Sequence, residues 1–176
     1  MNRMIQLTMI LLLLAPALVT AHGPSRQKVV EEIEISASPD KVWAIVSEFC
    51  SIKDWHPMVT ACESDKGTAV DSVRVITLEN GAAVKEKLAR HFPDRRRLQY
   101  MMIEPSPEAF PINTHGTGII VKEGAEGGAV VEWKGAFYRA FPGPNPPPEL
   151  SDEAGREKIT AFYRSGLENL KQLAEQ

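Results

Sequence analysis

A proline-rich run followed by one long amphipathic segment, at the end of the chain, constrains the fold more than any other sequence feature. Ser151 can cap a helix there, with Asp152 and Glu153 in its first turn. Apolar or small residues then recur at steps of three and four on one face, namely Ile159, Phe162, Gly166, Leu170 and Leu173. About 24 residues of such a helix span ~36 Å. The segment therefore predicts a helix long enough to lie across a whole sheet.

The middle of the chain predicts that sheet. Turn signals such as Glu79-Asn80-Gly81 separate five segments rich in β-branched or aromatic residues. The five predicted strands are Val73–Leu78, Ala83–Phe92, Leu98–Glu104, Thr114–Glu123 and Ala129–Phe141. Before them, the alternation of apolar and polar residues from Lys28 predicts a first strand. Ser38 as N-cap and Pro39 as first helical residue predict the start of a helix. Residues 52–58 predict a second short helix or turn. This order of elements is typical of one α+β domain with an antiparallel meander.

The first 21 residues predict a secretory signal peptide. Arg3 supplies the positive charge, Ile5–Leu14 an apolar core and Val19-Thr20-Ala21 a small-residue cleavage site. The apolar core is about ten residues long, whereas a bilayer span needs ~20. We therefore expect export to the periplasm with no membrane span after cleavage, a flexible tail over residues 22–27 and a single domain over 28–176.

Composition, cysteines and histidines limit the class of protein and the kinds of site that this chain can have. A chain that is 43% hydrophobic with a net charge of −3 is not a disordered chain, and its acidic balance argues against a nucleic-acid partner. In an oxidising compartment we expect Cys50 and Cys62 to form a disulfide, with two buried thiols as the alternative. The histidines do not recur at ligand spacing, so we predict no metal site and no cofactor.

Several short motifs, in this order and spacing, resemble the START-like superfamily. This helix-grip group, also called SRPBCC, includes polyketide cyclase/dehydrase-like proteins and lipid carriers. The motifs are Ser38–Trp43, Trp55-His56-Pro57, Val84–Leu88 and Arg97–Tyr100. The resemblance covers about residues 28–174 and implies an antiparallel sheet wrapped around the long C-terminal helix, with two short helices after the first strand and a cavity inside.

The predicted export signal, the block Trp133–Arg139, the proline run after it and the block Tyr163–Leu170 together resemble the MxaD-type periplasmic proteins of methylotrophic bacteria. That resemblance implies an accessory role in methanol oxidation, in which the protein assists methanol dehydrogenase and its cytochrome c partner. Two alternatives remain open at this point: a carrier or sensor of a small hydrophobic ligand, and a polyketide cyclase- or dehydratase-like enzyme.

A cavity between sheet and helix would be the default binding site. Its predicted ligand contacts are aromatic residues, two histidines and one glycine, namely Trp55, His56, Tyr100, His115, Trp133, Phe137, Phe162 and Gly166. A glycine inside a helix costs ~1 kcal/mol of helix propensity, so we expect Gly166 to admit a neighbour or a ligand closely. The alternative is that these aromatic side chains simply fill the core.

Catalysis has weaker support, and we predict no catalytic residue. Strict alternation would place Glu86 and Arg90 on one face of their strand and Lys85 and His91 on the other, so these groups cannot all point inward. His56, between a tryptophan and a proline, is interpreted as a packed turn histidine.

Two polar segments have two interpretations each. The cluster 95–97, three arginines in a predicted turn, is either a solvated loop or a contact for an acidic partner. The proline run 142–148 is either a stiff connector to the last helix or a pre-extended loop that faces a partner.

Overall fold

The computed structural model describes residues 23–176, so the predicted signal peptide lies outside the described residues. This part of the chain contains seven strands and three α-helices. Their bounds are β1 Gln27–Ile35, α1 Pro39–Val46, α2 Ile52–Trp55, β2 Val59–Ser64, β3 Val73–Leu78, β4 Ala83–Phe92, β5 Arg97–Met102, β6 Ile112–Glu123, β7 Ala129–Arg139 and α3 Asp152–Ala174.

All seven strands form one antiparallel sheet in the order β1-β7-β6-β5-β4-β3-β2. Strands β2 to β7 are a meander in which each strand pairs with the next, and β1 closes onto β7 at the far side. The predicted α+β architecture, with two short helices after the first strand and one long C-terminal helix, is confirmed.

Helix α3 lies on one face of the sheet, which we call the inner face. Its Tyr163 and Phe162 rings pack on Trp133 of β7, with ring centroids 4.4 Å and 5.6 Å away. The predicted apolar stripe faces inward, since Ile159 and Leu170 are fully buried. The opposite face, which carries the alternate residues of each strand, is the outer face.

Local capping signals begin helices α1 and α3 where the sequence predicts them. The Ser38 side chain accepts a hydrogen bond from the Lys41 backbone N–H at 3.3 Å, and the Ser151 side chain accepts one from Ala154 at 3.1 Å. Each cap satisfies an N–H that has no partner within the helix. The caps therefore fix where α1 and α3 begin.

The proline run is tied to its surroundings by one arginine. Arg139, at the end of β7, donates to the carbonyls of Phe141 and Gly143 at 3.0 and 2.6 Å and to the Asp152 carboxylate at 2.8 Å. These contacts join the last strand, the connector and the first turn of α3. They favour the connector interpretation of this segment.

Two features differ from the sequence-based prediction. Strand β2 was missed, because only Val59 of its six residues is buried and its alternation is weak. Strand β4 carries an irregularity between Leu88 and Arg90 that shifts its register by one residue. Beyond this bulge the faces exchange, so Glu86 points inward and Arg90 outward, and the prediction that these two share a face is wrong.

Candidate functional site

The eight residues predicted to contact a ligand lie together on the inner face. All eight are buried, and the seven that carry a side chain are at most 6% exposed. They come from α2 and its end, from β5, β6 and β7, and from α3. The rings contact one another: His56 stacks on Phe162 at 3.9 Å between centroids, and Trp55 packs edge-on against Trp133 at 5.4 Å. The structure thus gathers most of them into one aromatic cluster, whereas Tyr100 packs beside it against Phe49 in a second, smaller cluster. Their role in binding stays a prediction.

Gly166 shows what this cluster requires of α3. A Cβ atom at this position would lie 2.5 Å from Cδ2 of His56 and 2.9 Å from Cζ3 of Trp133. No real side chain tolerates such a distance, so only glycine lets the helix approach the His56 ring. The neighbour that Gly166 admits is therefore a residue of the protein itself.

His56 uses both ring nitrogens in hydrogen bonds. Nδ1 accepts from the Met58 backbone N–H at 3.2 Å, which leaves the proton on Nε2 to be donated to the Phe162 carbonyl at 2.9 Å. Burial lowers the pKa of His56 to about 4, although the bond to Phe162 opposes that shift. The imidazole is therefore neutral near pH 7 and acts as a strut between α2 and α3.

His115 belongs to a second buried chain of hydrogen bonds. Its Nε2 lies 2.8 Å from the Tyr163 hydroxyl, which lies 2.5 Å from the Thr117 hydroxyl, and Thr117 donates to the Lys134 carbonyl at 2.9 Å. Burial lowers the pKa of His115 to about 4 and raises that of Tyr163 well above its ordinary value. The chain joins β6, β7 and α3, and its groups stay uncharged at neutral pH.

A buried ion pair completes the inner face, and the sequence reasoning missed it. Arg74 of β3 and Glu86 of β4 are directly opposite in the register, 3% and 5% exposed, with Nε and Oε2 2.8 Å apart. The guanidinium also lies 4.2 Å from the centre of the Phe49 ring and 4.6 Å from that of Tyr100. An arginine opposite a glutamate in a predicted hairpin is the signal that could have revealed the pair.

Little space is left between these side chains. The hollow bounded by Trp55, Arg74 and Tyr100 measures about 10 Å³, which is near the lower limit for a single water molecule. The indole N–H groups of Trp55 and Trp133 have no hydrogen-bond partner among the described residues. Around this hollow, packed aromatic side chains occupy space in which the family resemblance implies a cavity.

A large hollow lies on the outer face of the sheet. This outer groove measures about 650 Å³ and crosses β1, β7, β6, β5 and β4. Its floor at the centre of the sheet has almost no side chains, because Gly116, Gly118 and Ala136 face outward there. Five cations line it: Arg26, Lys28, Arg90, Arg97 and Lys134.

The arginine cluster 95–97 divides into three different environments. Arg96 has a positive φ of 44° and holds Asp40 at 2.8 Å and Glu123 at 3.0 Å, so it joins α1 to the end of β6. Arg95 lies over the exposed Phe92 ring, and Arg97 turns into the outer groove. Neither predicted interpretation fits all three residues.

Cys50 and Cys62 form a disulfide, with Cα atoms 5.5 Å apart. The bond ties the segment between α1 and α2 to strand β2 at the sheet edge. Within residues 23–176, no cluster of three or more His, Cys, Asp or Glu side chains could hold a metal ion. None of the helices in this same range combines the length and hydrophobicity that a bilayer crossing requires.

Known proteins resemble the chain in sequence and in fold. The sequence profile of the family described as polyketide cyclase / dehydrase and lipid transport matches residues 26–175. No curated protein sequence gives a significant match.

Among solved structures, the protein XoxI from Bacillus cereus is 29% identical, with 84% of this chain and 94% of that one covered and a TM-score of 0.71. An uncharacterised protein from Bacillus thuringiensis is 26% identical, with 85% and 100% covered and a TM-score of 0.72. Norcoclaurine synthase from Thalictrum flavum, 17% identical with 85% and 87% covered and a TM-score of 0.65, shares the fold alone.

Proposed function

Since the chain belongs to the polyketide cyclase / dehydrase and lipid transport family, with its helix-grip fold, we propose that it is a periplasmic accessory protein of methanol oxidation. In this role it binds methanol dehydrogenase or the cytochrome c partner of that enzyme and acts through the contact rather than through catalysis. The likeness of residues 133–139 and 163–170 to MxaD-type proteins supports the pathway.

The packed inner face is the observation that carries the proposal. A carrier needs a cavity of some 300 Å³ or more for a small ligand, whereas the inner hollow holds about 10 Å³. The two inner histidines are neutral near pH 7, so neither is a general acid there, and both ring nitrogens of His56 are already hydrogen-bonded. A protein of this shape binds through its surface.

A pull-down from the periplasm of a methylotrophic bacterium grown on methanol tests the proposal. The purified protein serves as bait, and mass spectrometry should identify methanol dehydrogenase or its cytochrome c among the captured proteins. The same protein unfolded by heat and cooled serves as the control for non-specific capture. Recovery of neither partner above that control would contradict the proposal.

Export is tested separately. If residues 1–21 are a cleaved signal, the mature protein begins at His22 and is found in the periplasmic fraction. Deletion of residues 2–21 should keep the protein in the cytoplasm, with Cys50 and Cys62 reduced. Intact-mass analysis of both preparations shows the start of the chain and the state of the thiols.

Transport of a small hydrophobic ligand is a second candidate, and the position of Phe110 favours it. This residue lies in the loop between β5 and β6 and packs edge-on against Phe162, with ring centroids 5.1 Å apart. Removal of its ring would open the inner cluster toward solvent. A carrier should co-purify with a small molecule, and Phe110→Ala should bind a fluorescent fatty acid more tightly than the wild type does. Ligand-free protein that fails both tests is not a carrier.

A further inference from the structure

The register of the sheet places a set of residues in two straight rows across the outer groove. One row runs Lys28, Ala136, Gly116, Met101 and Lys87, and the next runs Val30, Lys134, Gly118, Gln99 and Arg90. Both rows have a small residue in the middle. At the β4 end Arg90 lines the groove, whereas Lys87 lies outside it and is ion-paired with Asp71 at 3.3 Å. The groove is therefore a shallow channel that runs across the strands.

The channel has a basic lining in a protein whose net charge is −3. None of the described residues that line it is a carboxylate. Of its five cations, only Lys134 forms an ion pair within residues 23–176, with Glu132, and the other four have none there. Unpaired cations at this density attract a negatively charged partner and speed its approach.

The distance between the cations at the two ends of the groove limits which kind of anion can contact both. Lys28 on β1 and Arg90 on β4 are separated by four strand intervals, or about 19 Å at ~4.8 Å each. A single phosphate or carboxylate cannot contact both. An extended peptide of about six residues can, since each residue adds ~3.3 Å.

The floor and rim suit a peptide backbone. The floor is open at Gly116, where an added Cβ atom would meet nothing within 4 Å, so another chain can lie directly on the sheet there. At Gly118 the Gln99 side chain lies alongside, with its Cγ 3.2 Å from the position of an added Cβ. Val30 and Met101 flank this floor and remain 56% and 42% exposed, which leaves apolar surface for the partner to cover.

We propose that the outer groove is the docking site for an acidic, extended segment of a partner protein. The segment lies across β1, β7, β6, β5 and β4, with its carboxylates on the cations at the two ends and its backbone over the glycine floor. This inference rests on the proposed function, because it names the contact surface through which the accessory protein would hold its partner.

Fluorescein-labelled hexaglutamate is the direct probe, and its binding is measured by fluorescence anisotropy. The wild type should bind it in a saturable way, and affinity should fall as NaCl rises from about 0.05 M to about 0.5 M. The double charge reversal Lys28→Glu and Arg90→Glu should weaken binding by about tenfold or more.

The matched control reverses two exposed cations elsewhere. Lys41→Glu and Lys158→Glu change the net charge by the same amount, but neither residue lines the groove. This control should keep nearly all of the affinity. Equal losses in the two double variants would overturn the proposal, because they would show attraction to net charge alone.

A steric variant tests the floor without changing any charge. A Cβ atom at Gly116 would meet nothing within 4 Å, so Gly116→Leu should fold normally and raise a side chain from the floor. Circular dichroism and thermal unfolding should match the wild type, while hexaglutamate affinity falls by about tenfold. Unchanged affinity would overturn the placement of the segment on the floor.

Two further outcomes separate this inference from the proposed function. If wild type and the Lys28→Glu, Arg90→Glu variant capture methanol dehydrogenase or its cytochrome c equally, the groove inference fails and the proposed function stands. If the groove variants lose hexaglutamate but the wild type captures neither partner, the accessory role fails and the groove stands. Binding to phosphatidylglycerol vesicles with no binding of hexaglutamate would identify the groove as a membrane contact and overturn the proposal.

Discussion

The two faces of one sheet differ in almost every physical respect. The inner face holds stacked rings, neutral histidines and the buried Arg74–Glu86 pair, with a residual hollow of about 10 Å³. The outer face holds exposed side chains, a glycine floor and cations without partners among the described residues, around a groove of about 650 Å³. Both faces are formed by the same strands, whose successive residues point alternately inward and outward.

The difference shows that aromatic content and binding capacity need not coincide. Inward-facing aromatic residues gain most from mutual burial, so they close the space that they line. Outward-facing glycines and lysines gain little from the fold itself and leave a surface that another molecule can use. We therefore expect substitutions on the inner face to change stability and substitutions on the outer face to change binding.

Removal of the inner cation should have the largest effect on stability. Arg74→Met would leave the Glu86 carboxylate buried without its partner, which we expect to cost about 3–5 kcal/mol in urea unfolding. Arg74→Met combined with Glu86→Leu should recover most of that loss. The outer-face control is Lys122→Met, which removes a lysine side chain that is 41% exposed and breaks its ion pairs to Glu32 and Glu132. Its cost should stay below about 1 kcal/mol. Equal costs for the two single variants would remove the energetic contrast between the faces.

Acid should weaken the inner face in a defined pH window. The pKa of His115 is about 4 in the folded protein and 6.5 when unfolded, so the unfolded state takes up its proton first as pH falls. With respect to His115, the unfolding free energy is therefore at its full value above pH 6.5 and decreases toward pH 4. The decrease is about 3 kcal/mol for a pKa shift of this size. Urea unfolding at several pH values measures the slope. Glutamine does not titrate, so the unfolding free energy of His115→Gln should fall about 3 kcal/mol less than that of the wild type between pH 6.5 and 4. If the variant and the wild type show the same dependence of unfolding free energy on pH, His115 is not the group responsible.

Two glycines on adjacent strands compare the faces with the same substitution. A Cβ atom at Gly135 would lie 2.3 Å from the Tyr163 hydroxyl and 2.6 Å from Nε2 of His115, whereas one at Gly116 would meet nothing within 4 Å. Gly135→Ala should therefore cost about 2 kcal/mol. Gly116→Ala should be neutral or stabilising by up to about 1 kcal/mol, because it stiffens the unfolded chain. Thermal unfolding of the two variants side by side gives the answer, and equal melting temperatures would contradict it.

The smallest effect is expected at Glu132 on the outer face. Burial opposes its ionisation, but hydrogen bonds from Lys122 and Lys134 outweigh that and lower the pKa of Glu132 to about 2. Its contribution is complete above pH 4.5 and is lost as pH falls through about 2, below the window of the histidines. Because both lysines are partly exposed, Glu132→Gln should cost less than about 1 kcal/mol at pH 5, and added salt should reduce that cost further. A salt-independent cost would contradict a solvent-screened network.

Much of the fold could be predicted because its signals are local. Ser38, Ser151 and the turn at Gly81 fix element boundaries through contacts within a few residues. The bulge at Leu88 could not be predicted, since alternation assumes an unbroken ladder and a one-residue shift exchanges the faces beyond it.

The two sites were less predictable, because each depends on register between distant strands. The residues of the aromatic cluster were predicted from their type. Their tight packing could not be predicted, because it depends on which side chains become neighbours in three dimensions. The outer groove joins residues of five strands, and no local pattern reports such a row. The alternation of Gly116 and Gly118 within one strand was the available signal, because glycines there often mark a close backbone approach.

The pairing of the first strand with the last strand has a consequence for how the chain folds. Gln27–Ile35 is synthesised first, yet its partner Ala129–Arg139 follows only after the other five strands. Both edges of this pair stay open until nearly the whole chain exists, and contacts between such distant segments slow folding. A chain that stops before residue 129 should expose two unpaired edges and aggregate. We therefore expect the pairing of β1 with β7 to be a late step of folding, which leaves the strand Gln27–Ile35 available to other factors until then.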